Sequence, residues 1–238
     1  EPYRRQRQMC IRDRYINLEE LSMLDLSNCR CIIFDLDGTI LDSTQVWAKV
    51  DMDFLGRRGI PVSKEYMQEI KTHTFESGSV YTKEKYNLPE STEEIMKEWY
   101  DAACKAYTDK VVLKPYAKAF IEQMHNNGFK IVSATSSDRA LFEPCLKRNG
   151  IYDFFDAFTQ TNEVSRGKKF PDVYMKAAGK AGCSVNECIV FEDVLSAAQG
   201  AKSGGFTVVA VYDEASADDW QDICQIADYN IRSYSELM

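Results

Sequence analysis

Cys31-Ile32-Ile33-Phe34-Asp35-Leu36-Asp37-Gly38-Thr39 decides how the rest of the chain is read. The run from Cys31 to Leu36 is short and almost continuously apolar, the mark of a strand buried on both faces of a parallel sheet. Residues i and i+2 of a strand share a face, so Asp35 and Asp37 point to one spot at the carboxyl edge of that sheet. Ligands of open α/β sheets bind at this edge. Two neighbouring carboxylates repel unless a divalent cation or a shared proton offsets them. Gly38 lets the backbone turn tightly and approach a ligand.

Four similar runs follow, Phe129–Ala134, Phe154–Thr159, Cys188–Phe191 and Phe206–Val211. Helical patterns separate them: Pro115–Asn127 before Gly128, Pro171–Ala181 before Gly182, and Leu195–Ser203 before Gly204. Proline at the start and glycine just past the end is the expected helix asymmetry. The alternation predicts a doubly wound, Rossmann-like α/β core. Pro144 predicts a kink or a late start in the helix after Ser137.

Ser43 to Lys114 carries no strand signal. Val46, Trp47, Val50, Phe54 and Leu55 share a helical face that stops at Gly59 and Pro61. Ser91-Thr92-Glu93-Glu94 is a capping box opening a second helix through Ile95, Trp99 and Tyr107. Residues 44–114 are therefore expected to be a helical insertion, and residues 23–43 and 115–238 the α/β core. Residues 1–22 have neither period. They are expected to be a non-native or disordered leader similar to translated sequencing-adapter remnants, with Met23 a sensible start.

The bulk properties narrow the function. The 238 residues are 45% hydrophobic and 28% charged, with net charge −8 and no basic cluster in the body of the chain. That argues against a nucleic-acid partner, because phosphate backbones demand concentrated Lys and Arg. No apolar run reaches the length of a membrane span, and the arginines near the amino terminus precede no apolar stretch of a secretory signal. The eight cysteines fall in strand-like and helical patterns or lack a second metal-ligand pair. They read as small hydrophobes of a reducing cytoplasm rather than as disulfides or a zinc site.

Asp35-x-Asp37-Gly38-Thr39 after an apolar strand resembles the first motif of the haloacid dehalogenase superfamily, in its helical-cap, β-phosphoglucomutase-like group. Three further motifs stand in the expected order at or after strand ends. Ala134-Thr135-Ser136-Ser137 resembles the family's phosphate-binding Ser/Thr. Gly167-Lys168-Lys169-Phe170-Pro171-Asp172 resembles its lysine motif, with Lys169 replacing a proline. Phe191-Glu192-Asp193 resembles its metal motif, with Val194 where Ser is usual and Ala197 where Gly is usual.

The resemblance implies a Mg²⁺-dependent phosphatase acting on a small phosphorylated metabolite. Asp35 would be the nucleophile forming an aspartyl-phosphate and Asp37 the acid/base. Thr135 and Lys168 would grip the phosphoryl oxygens. Mg²⁺ would be held by Asp35, the Asp37 carbonyl, Glu192 and Asp193. A dehalogenase is excluded, since it needs neither a metal nor an acid at the position of Asp37. Gly38, Thr39, Ser136 and Trp47 are the candidate substrate-binding residues, although a tryptophan near a hinge is more often core than a platform for a sugar.

Two alternatives stand. A mutase of that group carries a His where Trp47 stands and a cap Arg near Phe75, where none occurs, so the phosphatase is favoured. A non-catalytic binding protein would have lost Asp35 or Lys168, and both are present. His73, His125, Arg57, Arg58, Lys83 and Lys85 are left without a role, and the oligomeric state is not legible.

Overall fold

A computed structural model describes residues 24–70 and 73–238. The expectations for residues 1–22 lie outside this range. Six parallel strands form the main sheet in the order β5-β4-β1-β6-β7-β8. They are β1 (Cys31–Phe34), β4 (Lys130–Thr135), β5 (Ala157–Gln160), β6 (Cys188–Glu192), β7 (Thr207–Val211) and β8 (Tyr229–Ile231). β1 lies between β4 and β6, with Phe34 opposite Ser133 on one side and Phe191 on the other. That register brings Asp35, Thr135 and Glu192 to one edge.

Alternating strand residues feed two cores, as period-two side chains must. Ile32, Phe34, Ile131 and Phe191 pack with Phe120, Ile121, Leu141 and Phe142. The latter come from helices α5 (Ala117–Asn126) and α6 (Arg139–Arg148). On the other face, Ile33, Val132 and Val190 pack with Val173, Ala177, Ala198 and Ile223. These belong to α7 (Asp172–Ala181), α8 (Leu195–Ser203) and α9 (Trp220–Ile226).

The helical stretch between the first two motifs is α1 (Val46–Arg57), α2 (Lys64–Ile70), α3 (Phe75–Tyr86) and α4 (Thr92–Asp109). The Ser91 capping box is present, with Ser91 Oγ accepting from Glu94 N and Glu94 Oε2 from Ser91 N. The chain leaves the core through β2 (Leu41–Asp42) and returns through β3 (Val112–Leu113), which pair antiparallel.

Four expectations are corrected. Two-residue strands carry no readable period, so β3 falls in a stretch with no strand signal. β8, three residues long, is missed for the same reason. β5 starts at Ala157 because Tyr152–Phe154 forms a 3₁₀ turn. Of the kink or late start expected at Pro144, the late start is overturned: Asp138 caps the helix by accepting from Ala140 N, and it runs from Arg139 through Pro144.

The seven described cysteines are free thiols. No helix among the described residues is long and apolar enough to cross a membrane.

The helical insertion has a polar fault in its interior. Asp51 is buried with Tyr66 Oη donating to its Oδ1 at 3.3 Å, and Tyr66 also bonds Thr82 at 2.9 Å. Burial pushes the Asp51 carboxyl up to about 6, against the smaller effect of that hydrogen bond. An unfolded Asp ionises near pH ~4, so between about pH 4 and pH 6 the folded chain keeps a proton that the unfolded chain releases. Stability from this group therefore falls as pH rises through that window, by up to about 3 kcal/mol. Asp51→Asn should raise the melting temperature at pH 8, with the gain fading toward pH 4. An equal change at both pH values would show that Asp51 is not the cause.

Candidate active site

The strand edge gathers three carboxylates and one ammonium. Asp35 is fixed where β1 ends, its N–H donating to Phe191 O at 3.0 Å. Lys168 arrives on the loop before α7. Its Nζ donates to Asp35 Oδ1 and, at 2.6 Å, to Glu192 Oε1. Glu192 is fully buried; its Oε1 also accepts from Tyr174 Oη at 2.8 Å, and its Oε2 accepts from Asp193 N at 3.2 Å. Asp193 is oriented by Thr39, whose Oγ1 donates to Oδ1 at 2.8 Å.

Burial dominates the electrostatics. It pushes the Asp35 carboxyl up to about 7; Lys168 opposes this, while Glu192 and Asp37 add to it. Burial and the neighbouring Asp35 and Glu192 likewise drive Asp193 well above the carboxylate range. Burial alone would lower the Lys168 ammonium, but Asp35 and Glu192 outweigh it and hold it above its ordinary value. One ammonium does not balance three buried carboxylates.

Oxygen atoms of Asp35, Glu192 and Asp193 lie within 4.8 Å of one another. A buried, all-carboxylate donor set with three acidic groups to one ammonium suits a hard divalent cation such as Mg²⁺ better than a soft metal.

A cleft of about 440 Å³ opens over this cluster. Asp35, Asp37, Thr135, Ser136, Gly167, Lys168, Lys169 and Glu192 line it, with Val194, Ser196 and Ala197. Thr135 Oγ1 accepts from Ser137 N at 3.0 Å, which fixes the hydroxyl at the end of β4. Asp37 Oδ1 accepts from Ser43 Oγ at 2.6 Å and from Tyr107 Oη at 2.5 Å.

Other singled-out residues lie apart from the cleft lining. Thr39 is fully buried behind Asp193. Gly38 has φ +80°, and a Cβ there would stand 2.2 Å from Asp193 Oδ2, so its place in the site is steric. Trp47 packs edge-on against Phe75, ring centroids 5.6 Å apart, and Phe75 against Trp99 at 5.9 Å. The cations singled out in the insertion have partners of their own: Arg57 with Glu98, Arg58 with Glu90 and Glu98, Lys83 with Leu88 O, and Lys85 with Tyr81 Oη.

Sequence reasoning missed Ser43, Tyr107, Tyr174 and Gly200. The first three act through contacts with no local pattern. Gly200 sits inside α8, where a Cβ would fall 1.9 Å from Lys168 O. A glycine in a helix interior, costly relative to alanine, was the available signal.

A family model described as haloacid dehalogenase-like hydrolase matches residues 32–211. The bifunctional riboflavin kinase/FMN phosphatase of Arabidopsis thaliana is 28% identical over 182 residues, which cover 76% of this chain and 48% of that protein. The chain thus spans about half the length of that relative. A Drosophila melanogaster protein named "probable pseudouridine-5'-phosphatase" is 29% identical over 214 residues, covering 83% of this chain and 90% of its own. A solved β-phosphoglucomutase from Clostridium difficile superposes with TM-score 0.67 at 18% identity, covering 88% of this chain and 93% of that one. At that identity the likeness concerns the fold alone.

Gly200→Ala should push the Lys168 loop outward, costing roughly 1–3 kcal/mol of stability. Gly179→Ala, in α7 with nothing within 4 Å of the added carbon, should be neutral or stabilising by about 0.5–1 kcal/mol. Thermal melts of the two variants check the contrast. Equal melting temperatures would mean that Gly200 is not a contact requirement.

Proposed function

The chain belongs to the haloacid dehalogenase-like hydrolases, and from that membership we propose that it is a phosphatase of small phosphorylated metabolites working through Asp35. The observation that carries this reading is the convergence of Asp35, Asp37, Thr135, Ser136 and Lys168 on one cleft, from three separate stretches of chain. Relatives named as an FMN phosphatase and a pseudouridine-5'-phosphatase support the substrate class.

Asp35 is the nucleophile. Its carboxylate attacks phosphorus and becomes an acyl-phosphate, which water then hydrolyses. Lys168 holds the carboxylate in place and neutralises phosphoryl oxygens as they approach. Thr135 and Ser136 offer hydroxyl and backbone donors to the same oxygens. Asp37 gives a proton to the leaving oxygen and takes one from the water that follows.

Mg²⁺ would be held by Asp35, Glu192, Asp193 and the Asp37 carbonyl, and when bound it would neutralise charge on the phosphoryl group. The helical insertion, residues 44–114, serves as a cap that keeps water out of the first step. No nucleic acid or membrane enters this reading, and the expected compartment is the cytoplasm.

Trp47 and Phe75 favour the phosphatase over the mutase. A mutase must grip both phosphates of a bisphosphate intermediate, and this pair offers an apolar contact where a His and an Arg are expected. With β-glucose 1-phosphate, Mg²⁺ and a trace of glucose 1,6-bisphosphate, inorganic phosphate should form with little glucose 6-phosphate. Dominant, phosphate-free conversion to glucose 6-phosphate would promote the mutase reading.

Asp35→Asn should lose at least about 10³-fold in kcat on p-nitrophenyl phosphate, with the melting temperature preserved. EDTA should abolish turnover of the unaltered protein and Mg²⁺ restore it. Near-normal Mg²⁺-dependent activity in the variant would refute the nucleophile assignment.

A further inference from the structure

Asp37 is held from outside the family's motifs. Tyr107 stands in the last turn of α4, almost wholly buried, and its hydroxyl donates to Asp37 Oδ1 at 2.5 Å across 70 positions of sequence. Ser43, just after β2, donates to the same oxygen at 2.6 Å. Among the described residues, both hydrogen bonds to this carboxyl group fall on Oδ1. The end of α4 is itself tied down. Arg148 donates to Tyr107 O at 3.4 Å, and Asn149 Nδ2 to Val111 O at 3.1 Å. Tyr107 is therefore anchored to α6 rather than free to follow its own helix.

We propose that Tyr107 is a positioning residue for Asp37, clamping Oδ1 so that Oδ2 is the oxygen presented to the leaving group. The inference rests on the phosphatase reading and on the acid role of Asp37 within it. An aspartate side chain at a cleft wall has several rotamers, and a general acid works only in the one that meets the leaving oxygen. Two donors on one oxygen remove that freedom and make Oδ1 an acceptor only. A proton delivered to the leaving group then comes from Oδ2. The insertion thereby contributes to the chemistry through the end of its last helix, α4, independently of any substrate contact.

The test uses two esters of nearly the same shape, phenyl phosphate and p-nitrophenyl phosphate, with Mg²⁺ present. Phenolate is the poorer leaving group and depends more on the acid. For each ester, kcat/KM covers the steps through departure of the leaving group, so the ratio of the two reports acid catalysis. Both esters are read on the same preparation, so the ratio divides out any misfolded fraction.

Tyr107→Phe should lower the phenyl to p-nitrophenyl ratio of kcat/KM by roughly tenfold, a fraction of what a general acid contributes. Asp37→Asn should lower it further. If Asp37→Asn lowers the ratio and Tyr107→Phe leaves it unchanged, Tyr107 is structural only and the proposal is overturned while the phosphatase reading stands. If Asp37→Asn leaves the ratio unchanged, the acid role fails and the proposal falls with it.

Discussion

The Lys168 ammonium, held part-buried between Asp35 and Glu192, is the contact on which the site depends. Removing one member of a buried ion pair leaves an uncompensated charge, commonly costing about 3–5 kcal/mol. Here each member comes from a different part of the chain: Asp35 from the end of β1, Glu192 from the end of β6 and Lys168 from the loop before α7. The parallel register of β1 with β6 puts the carboxylates side by side, and the closeness of Gly200 to that loop lets the lysine reach them. Fold and site are thus coupled through charge. The sheet edge would repel itself without the lysine, and the lysine would not remain charged in the interior without the carboxylates.

Tyr174 and Thr39 complete the cluster. A buried carboxylate needs donors for its lone pairs, and Glu192 receives Lys168, Tyr174 and a backbone N–H. Asp193 has Thr39. The charge left uncompensated is what a divalent cation would match, so the tension in this cluster and its suitability for a metal have one origin.

The sequence makes the core legible where physical signals are local. Ile32, Ile33 and Phe34 alternate between two cores and announce a doubly buried strand. Asp35 and Asp37, two apart, share the edge of the sheet. Ser91 and Glu94 form their capping box within four residues. Legibility fails where a signal needs partners far apart or elements too short for a period. Asp37 meets Tyr107 across 70 positions, and β2 and β3 have two residues each. Trp47 illustrates a different gap: its spacing from Asp37 is readable, but its packing on Phe75 required the folded insertion.

In the proposed reaction Asp35 carries the phosphoryl group during turnover. The most direct measurement is to quench the Mg²⁺-bound protein while it turns over phenyl phosphate, reduce it with borohydride and map the peptides by mass spectrometry. Borohydride reduces an aspartyl-phosphate to homoserine. The expected result is homoserine at position 35, dependent on substrate and absent without it. Homoserine at position 37 or 193 instead, with residue 35 left as aspartate, would contradict the account.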